Sequence, residues 1–498
     1  MSSTLTPAGE LARRVDEVTG GVGPGRSLRR GSLRFLRTAA LPVGVQGPTA
    51  GVIIGPAIIA GIVGEPGALA QVLALVAMGF VAYAFVVFTR SFNTAGSVYA
   101  FNGTALGPGY GFVSAWLLLL VYLSFAAGVY ASTADIAQAL LASFGVHVAW
   151  VWLGLAGAAL ALALAYTSIG FSSLVILACE GAAVALITAV AVAVLADGGY
   201  RHHGLTATPF SPRGVAVPVL ALGVTAAFGQ FSGFESAATL GEEARASTRT
   251  IPAAISWSLA GAAAIYIFFT WITYTAYPSP AAVAASPAPL VHIAGIYLGT
   301  GVGTAVNVAG LISAFGAQLA CLTAAARLAF ALGRETSRHP TGSVLTRTWR
   351  RYGSPAGALT VTGAASIAAM AAFGSEHAAT RAATLIIQYG AYLILAAYLM
   401  TVIAALAWTW RTAWRPLPLA ILTSGTAVLG YVVYRTFAPF PPAPFSWVAA
   451  AAAASAAAGA ALLLTPGLLP RLRRSPLLAV TATAGPGPQK GQASHRPP

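Results

Sequence analysis

Residues 228–243 read FGQFSGFESAATLGEE. They fall inside an apolar stretch long enough to cross a bilayer, where a continuous helix is the default. Yet the segment carries Gly229, Gly233, the polar pair Gln230 and Ser232, and a carboxylate, Glu235. Glycine weakens a helix, and a carboxylate near mid-bilayer costs about 2.5–3.5 kcal/mol on insertion scales. Ser232 and Glu235 also have the spacing of a capping box, in which a hydroxyl and a carboxylate satisfy the free amides of a new helix start. The segment therefore reads as a helix that stops near Phe231 and restarts near Phe234. Broken helices at membrane depth occur where the freed backbone groups line a cavity or hold a ligand.

The chain around this segment is 57% hydrophobic and only 8% charged over 498 residues, with a mean hydropathy of +0.77. So few charges cannot clothe a soluble surface of this size, which makes the chain an all-α polytopic membrane protein. Cys179 and Cys321 both sit in apolar runs and read as packing residues. The net charge of +15 is scattered between apolar runs, as membrane topology requires, and no nucleic acid partner is expected. Lys490 is the only lysine; the preference for Arg, with abundant Ala, Gly and Pro, suggests a GC-rich bacterial genome. The first ~40 residues are polar and Arg-bearing, and no cleavable signal peptide is expected there.

Twelve spans are expected, at about 41–63, 67–89, 110–136, 149–167, 172–195, 216–244, 252–275, 297–326, 355–373, 380–408, 417–436 and 444–465. An even count puts both termini on one side. The N-terminal arginines, the loop after span eight, Arg411 with Arg415, and Arg471, Arg473 and Arg474 then all face the cytoplasm. Only Arg201, Arg213, Arg381 and Arg435 fall outside. The chain divides into a cytoplasmic arm (1–40), a ten-helix core (41–410), two additional helices (411–466) and a disordered cytoplasmic tail (467–498). Span one is interrupted by Gly47-Pro48-Thr49-Ala50-Gly51, five spans before the break in span six. An odd separation gives the two breaks opposite orientation, the pattern of an inverted repeat with its binding site between the halves. Read singly, Gly47xxxGly51 and Gly229xxxGly233 are also helix-packing motifs. Matched positions, with Pro48 and Glu235 added, favour breaks.

Three stretches resemble a known family. FSGFESAATLGEEARASTRTIPAAI (231–255) is similar to the sixth-span signature of the amino acid–polyamine–organocation permeases. NTAGSVYAFNGTALGPGYGFVSAW (93–116) resembles their segment before span three. RLAFALGRETSRHP (327–340) followed by YGSPAGAL (352–359) resembles their segment after span eight. The resemblance implies a leucine-transporter-like fold of two inverted five-helix repeats, discontinuous helices one and six, and two C-terminal helices. It also implies alternating-access transport of amino acids, amines or related compounds.

On that pattern Pro48, Thr49, Ala50 and Gly51 form the span-one substrate segment, and Phe231, Ser232, Gly233 and Phe234 the span-six segment. The amides around Ala50 and Gly51 would face a substrate carboxylate. Carbonyls near Gln230 and Phe231 would face its ammonium, with Phe228 or Phe231 as an aromatic gate. For coupling, some family members hold a span-five lysine, whereas this chain has no intramembrane lysine and places Glu180 nearby. Glu180 is either a proton carrier or a structural carboxyl bonded to neighbouring helices. Glu235 is a second coupling candidate. Ser313 lies where related folds place a sodium-binding hydroxyl, or bonds its own helix. Asn307, Gln318 and Gln388 could reach the cavity or tie helices together, and Asp135 reads as interfacial. Glu242, Glu243, Arg245 and Arg249 read as a solvated cluster, with a gate through an arginine such as Arg327 as the alternative.

The chain lacks HExxH, GxSxG and GxxxxGK[ST] patterns, and its histidines fall in or near loops, so no metal, cofactor or enzymatic activity is expected. The expected activity is proton-coupled import of an amino acid or derivative across a bacterial cytoplasmic membrane, with sodium as the other possible ion. An exchanger or polyamine carrier is the runner-up, and a ligand sensor the different class. A polyamine needs extra carboxylates, and the spans offer only Glu180, Glu235 and the peripheral Asp135. The oligomeric state is left open.

Overall fold

The computed structural model describes residues 28, 31–92, 96–142, 144–202, 204–336, 343–349, 351–376, 378–412 and 414–473. Most of the N-terminal arm, residues 93–95 and 337–340 of the quoted motifs, and the tail beyond 473 lie outside these residues. Among the described residues the protein is helical, with one isolated parallel bridge, Leu33 to Ala244.

Among the described residues, ten helical segments are long and apolar enough to cross a membrane. Span one is Phe35–Gln46 followed by Pro48–Val63, and span six is Val217–Gln230 followed by the 3₁₀ turn Phe234–Leu240. Spans two, three, five, seven and eight are Gly67–Thr89, Pro108–Ala142, Ile169–Asp197, Ser247–Thr275 and Thr300–Thr336. Spans ten, eleven and twelve are Ala379–Thr412, Pro416–Phe437 and Phe445–Leu462. Spans four and nine, Trp150–Ala165 and Ala356–Ala371, are apolar but have 16 residues each, about 24 Å of helix. They pack on each other: Leu162 lies against Gly363, and the Tyr166 and Thr360 hydroxyls bond at 2.6 Å.

Span eight is the most deeply buried, and spans eleven and twelve are the most exposed, at the periphery. Spans three and ten pack along each other, span eight packs on spans one, three, five and six, and span seven packs on spans one, two and six. The two breaks therefore meet in the interior of the bundle.

The break in span one follows from three residues. Gly47 adopts the left-handed conformation (φ 50°, ψ 56°), and its amide bonds back to the carbonyls of Val43 and Gly44. That is a glycine stop. Pro48 then opens the second half-helix, where its missing N–H is no loss.

The break in span six differs from expectation. Gly233 has φ 121°, which ends the regular helix, but no capping box forms. The Ser232 hydroxyl turns back and donates to the Gly229 carbonyl at 2.7 Å, and Glu235 accepts from the Gly233 amide instead of that of Ser232. With the box absent, the chain continues as a 3₁₀ turn, not an α-helix. Beyond the membrane core, Leu468–Arg473 is a short helix.

Candidate functional site

Two buried carboxyl clusters sit at the two breaks. The first forms at the span-one restart. The Thr49 amide donates to Glu180 Oε1 at 2.8 Å, and the Ser313 hydroxyl donates to Glu180 Oε2 at 2.6 Å. Ser313 Oγ in turn accepts from the Ala50 amide at 3.2 Å. Glu180 thus joins spans one, five and eight at a point where Thr49 and Ser313 are fully buried. A helix start is the natural seat for a carboxylate, because its amides are unpaired and its dipole end is positive. Here the protein supplies that carboxylate itself.

The second cluster forms in span six. Glu235 is fully buried and takes three donors: Tyr122 at 3.0 Å, Tyr398 at 2.6 Å and the Gly233 amide at 2.8 Å. A mid-membrane carboxyl is tolerable only with such partners. The triad ties the span-six turn to spans three and ten.

The breaks touch each other. A Cβ on Gly233 would lie 2.7 Å from Val45 Cγ1 and 3.0 Å from the Gln46 nitrogen. Gln46 Nε2 donates to the Phe231 carbonyl at 3.1 Å, and the Tyr266 hydroxyl donates to the Gln46 carbonyl at 2.8 Å. The Tyr266 ring stands edge-on to Phe231, with centroids 5.2 Å apart, and rests against Gly51. Phe228 and Phe234 pack on Tyr398 at 6.2 and 5.9 Å.

The sequence profile described as amino acid permease matches residues 33–461, from the first span through the last. The chain belongs to the amino acid permease family. It is similar to the low-affinity putrescine importer PlaP of Escherichia coli (strain K12), at 26% identity over 271 residues, 53% of this chain and 59% of that protein. It is equally similar to the branched-chain amino acid permease BcaP of Lactococcus lactis subsp. cremoris (strain MG1363), at 26% over 282 residues, 53% of this chain and 60% of that protein. The chain thus matches about 60% of the length of these curated relatives.

In this family member Val45 and Gln46, just before the expected segment Pro48 to Gly51, touch Gly233 and Phe231 of the other, Tyr266 bridges Gly51 to Phe231, and Phe228 packs on Tyr398. Gln230 does not join these contacts. Its Oε1 accepts from Gln71 Nε2 at 2.9 Å, and its side chain lies on Gly55, so it links spans one, two and six beside the site. The Gly51 amide is spent on the Gly47 carbonyl within the helix. Gln318 donates to the Gly157 carbonyl and ties span eight to span four. Asn307 lines a cavity of about 460 Å³, with Ala139, His292 and Thr304, at the end of span eight remote from Arg327. Six helical residues, about 9 Å, separate Asn307 from Ser313.

Sequence reasoning missed Gln46, Tyr122, Tyr266 and Tyr398. The available signal was the phenol itself: a tyrosine within an apolar span needs a partner for its hydroxyl.

At the end of the bundle that carries residue 33, the expected solvated cluster is a pair of sequestered ion pairs. Arg327 Nε meets Glu243 Oε2 at 2.5 Å, with both side chains nearly inaccessible, and Arg334 meets Glu242 at 2.5 Å. Arg245 and Arg249 remain exposed. The burial comes from the chain before span one. Leu33 pairs with this turn through its amide to the Glu243 carbonyl (3.0 Å) and its carbonyl to the Arg245 amide (2.8 Å).

Proposed function

We propose that the protein is a secondary active transporter that moves a small amine-bearing molecule, an amino acid or a derivative, across a bacterial cytoplasmic membrane by alternating access. The observation that carries this reading is the contact of two interrupted spans in the bundle interior, each break holding a buried carboxyl. Both relatives are named as carriers, one of putrescine and one of branched-chain amino acids, which supports this range of substrates.

Proton-coupled import is the favoured mode. Glu180 bridges three spans that must move relative to one another, so gain or loss of its proton bears on how they engage. Sodium is disfavoured because the Ser313 hydroxyl already donates to Glu180 and accepts from Ala50. The cavity above Asn307 suits an outer approach, and the Glu243–Arg327 and Glu242–Arg334 pairs suit a closed cytoplasmic gate. Both termini are then cytoplasmic, in line with the arginine distribution, and the ten-helix core carries transport with spans eleven and twelve at its edge. An exchanger remains the alternative mode.

The test is uptake of labelled amines and amino acids into proteoliposomes, with and without an imposed proton gradient. Accumulation only with the gradient supports proton-coupled import. Movement only against preloaded substrate makes the protein an exchanger. Ligand-dependent thermal stabilisation without any movement makes it a sensor and refutes transport.

A further inference from the structure

The backbone amides at the span-one restart are all taken, whereas the buried Thr49 hydroxyl there has no partner. The Gly47 amide bonds to Val43 and Gly44, and Pro48 has none. The Thr49 amide is held by Glu180, Ala50 by Ser313 and Gly51 by Gly47. Among the described residues of this turn, no amide is left for a substrate. At the second break the Gly233 amide is likewise held by Glu235. No cation stands in for these amides: Arg327, fourteen residues along span eight from Ser313 (about 21 Å of helix), already pairs with Glu243.

An acceptor, by contrast, is free. Gln46 is buried, and its amide orientation is fixed because the Phe231 carbonyl can only accept, so the NH₂ must face it. That leaves Gln46 Oε1 buried with no hydrogen-bond partner, between the two breaks. Buried acceptors of this kind are rare without a donor to complete them. Phe231, whose carbonyl accepts from the Gln46 side-chain amide, and Tyr266, whose hydroxyl donates to the Gln46 carbonyl, stand edge-on to each other here, and aromatic faces attract cations. The site is therefore short of anion-binding amides, the Thr49 hydroxyl beside the Glu180-bound amide being the donor left at the restart, and has a place for an N–H donor.

We propose that Glu180 is a specificity-determining residue: it fills the seat that a substrate carboxylate would need, so the site takes an alkyl amine lacking an α-carboxylate. This rests on the transport reading above and narrows it. A substrate carboxylate would have to displace Glu180 or lie beside it, and like-charge contacts of that kind cost two decades or more of affinity, about a hundredfold. The ammonium of the amine completes Gln46 Oε1.

The experiment uses the full chain in proteoliposomes and matched pairs that differ only by the carboxylate: putrescine and ornithine, cadaverine and lysine, 3-methylbutylamine and leucine. Uptake and thermal stabilisation are both read. The expected result is that at least one amine is moved about a hundredfold better than its amino acid. Glu180→Ala should narrow that ratio at least tenfold by admitting the amino acid, and added acetate should restore the original preference. Glu180→Gln, which still fills the seat and accepts from Thr49 but removes the charge, should narrow the ratio by less than Glu180→Ala does. If wild-type protein moves an amino acid as well as its amine, the inference is overturned while the transport reading stands. Failure to move or bind any member of any pair overturns both. Should Glu180→Ala not fold, the wild-type ratios and Glu180→Gln decide the question alone.

Discussion

Replacing Gly233 with alanine tests the contact between the breaks. Gly233 has φ 121°, a backbone conformation that costs an L-residue about 1–3 kcal/mol. The added methyl would stand 2.7 Å from Val45 Cγ1 and 3.0 Å from the Gln46 nitrogen, closer than ordinary packing allows. Val45 can give a little; the Gln46 nitrogen belongs to the last turn of a half-helix and cannot move without it. Overpacking of this kind costs about 1–3 kcal/mol, so the total is about 2–6 kcal/mol. Relief requires the breaks to separate, which stretches the Gln46 to Phe231 bond. The control is Gly229→Ala, because nothing lies within 4 Å of that position and alanine favours the helix that contains it. Thermal unfolding in detergent and proteoliposome uptake should both fall for Gly233→Ala and stay near wild type for Gly229→Ala. Gly233→Leu should abolish uptake while the protein still reaches the membrane. If Gly233→Ala matched Gly229→Ala in both assays, the two breaks would not be in contact, and the site built on that contact would be wrong.

Tyr398→Phe removes the shorter phenol bond to Glu235 and should destabilise by about 1.5–3 kcal/mol, more than Tyr122→Phe; equal melting temperatures for the two variants and wild type would refute the triad. Glu243→Gln leaves Arg327 buried without its partner and should cost about 3–5 kcal/mol, whereas the double change Glu243→Leu with Arg327→Met should recover stability and lose tight gating, seen as substrate leak from loaded vesicles. Glu180→Gln should weaken concentrative uptake, spare exchange and flatten the dependence of uptake on pH; an unchanged pH profile would remove Glu180 as the proton carrier.

Both breaks were legible in the sequence, for different reasons. Gly47-Pro48 is a local signal, since a left-handed stop followed by a proline start needs no tertiary help. At Ser232–Glu235 the spacing correctly marked a break but misassigned its chemistry. A capping box competes with any other donors near the carboxyl, and the phenols of Tyr122 and Tyr398, more than a hundred residues away on either side, were invisible at that range. The acidic turn at Glu242 and Glu243 is not the solvated cluster first expected, for a similar reason, while the alternative pairing with Arg327 is present. Charges in a loop are ordinarily solvated, and only the packing of Leu33 and span eight against this one removes the water. The spans themselves were legible throughout because apolar length is a property of the segment alone.

Interrupting a helix inside a membrane exposes amides that water cannot reach, each at a cost of several kcal/mol unless satisfied. A ligand could satisfy them, but then the empty carrier would be the unstable state and would resist returning without cargo. This chain instead meets the amides of both breaks with its own carboxyls, Glu180 from span five and Glu235 from the turn itself. The unloaded protein therefore satisfies the Thr49, Ala50 and Gly233 amides internally, and the polar atoms left open at the breaks include the acceptor Gln46 Oε1 and the hydroxyls of Thr49 and Ser236. A carrier built this way can close while empty, which a one-way importer must do on every return. On the transport reading proposed above, loading acts on the acceptor side and not by repairing a broken helix.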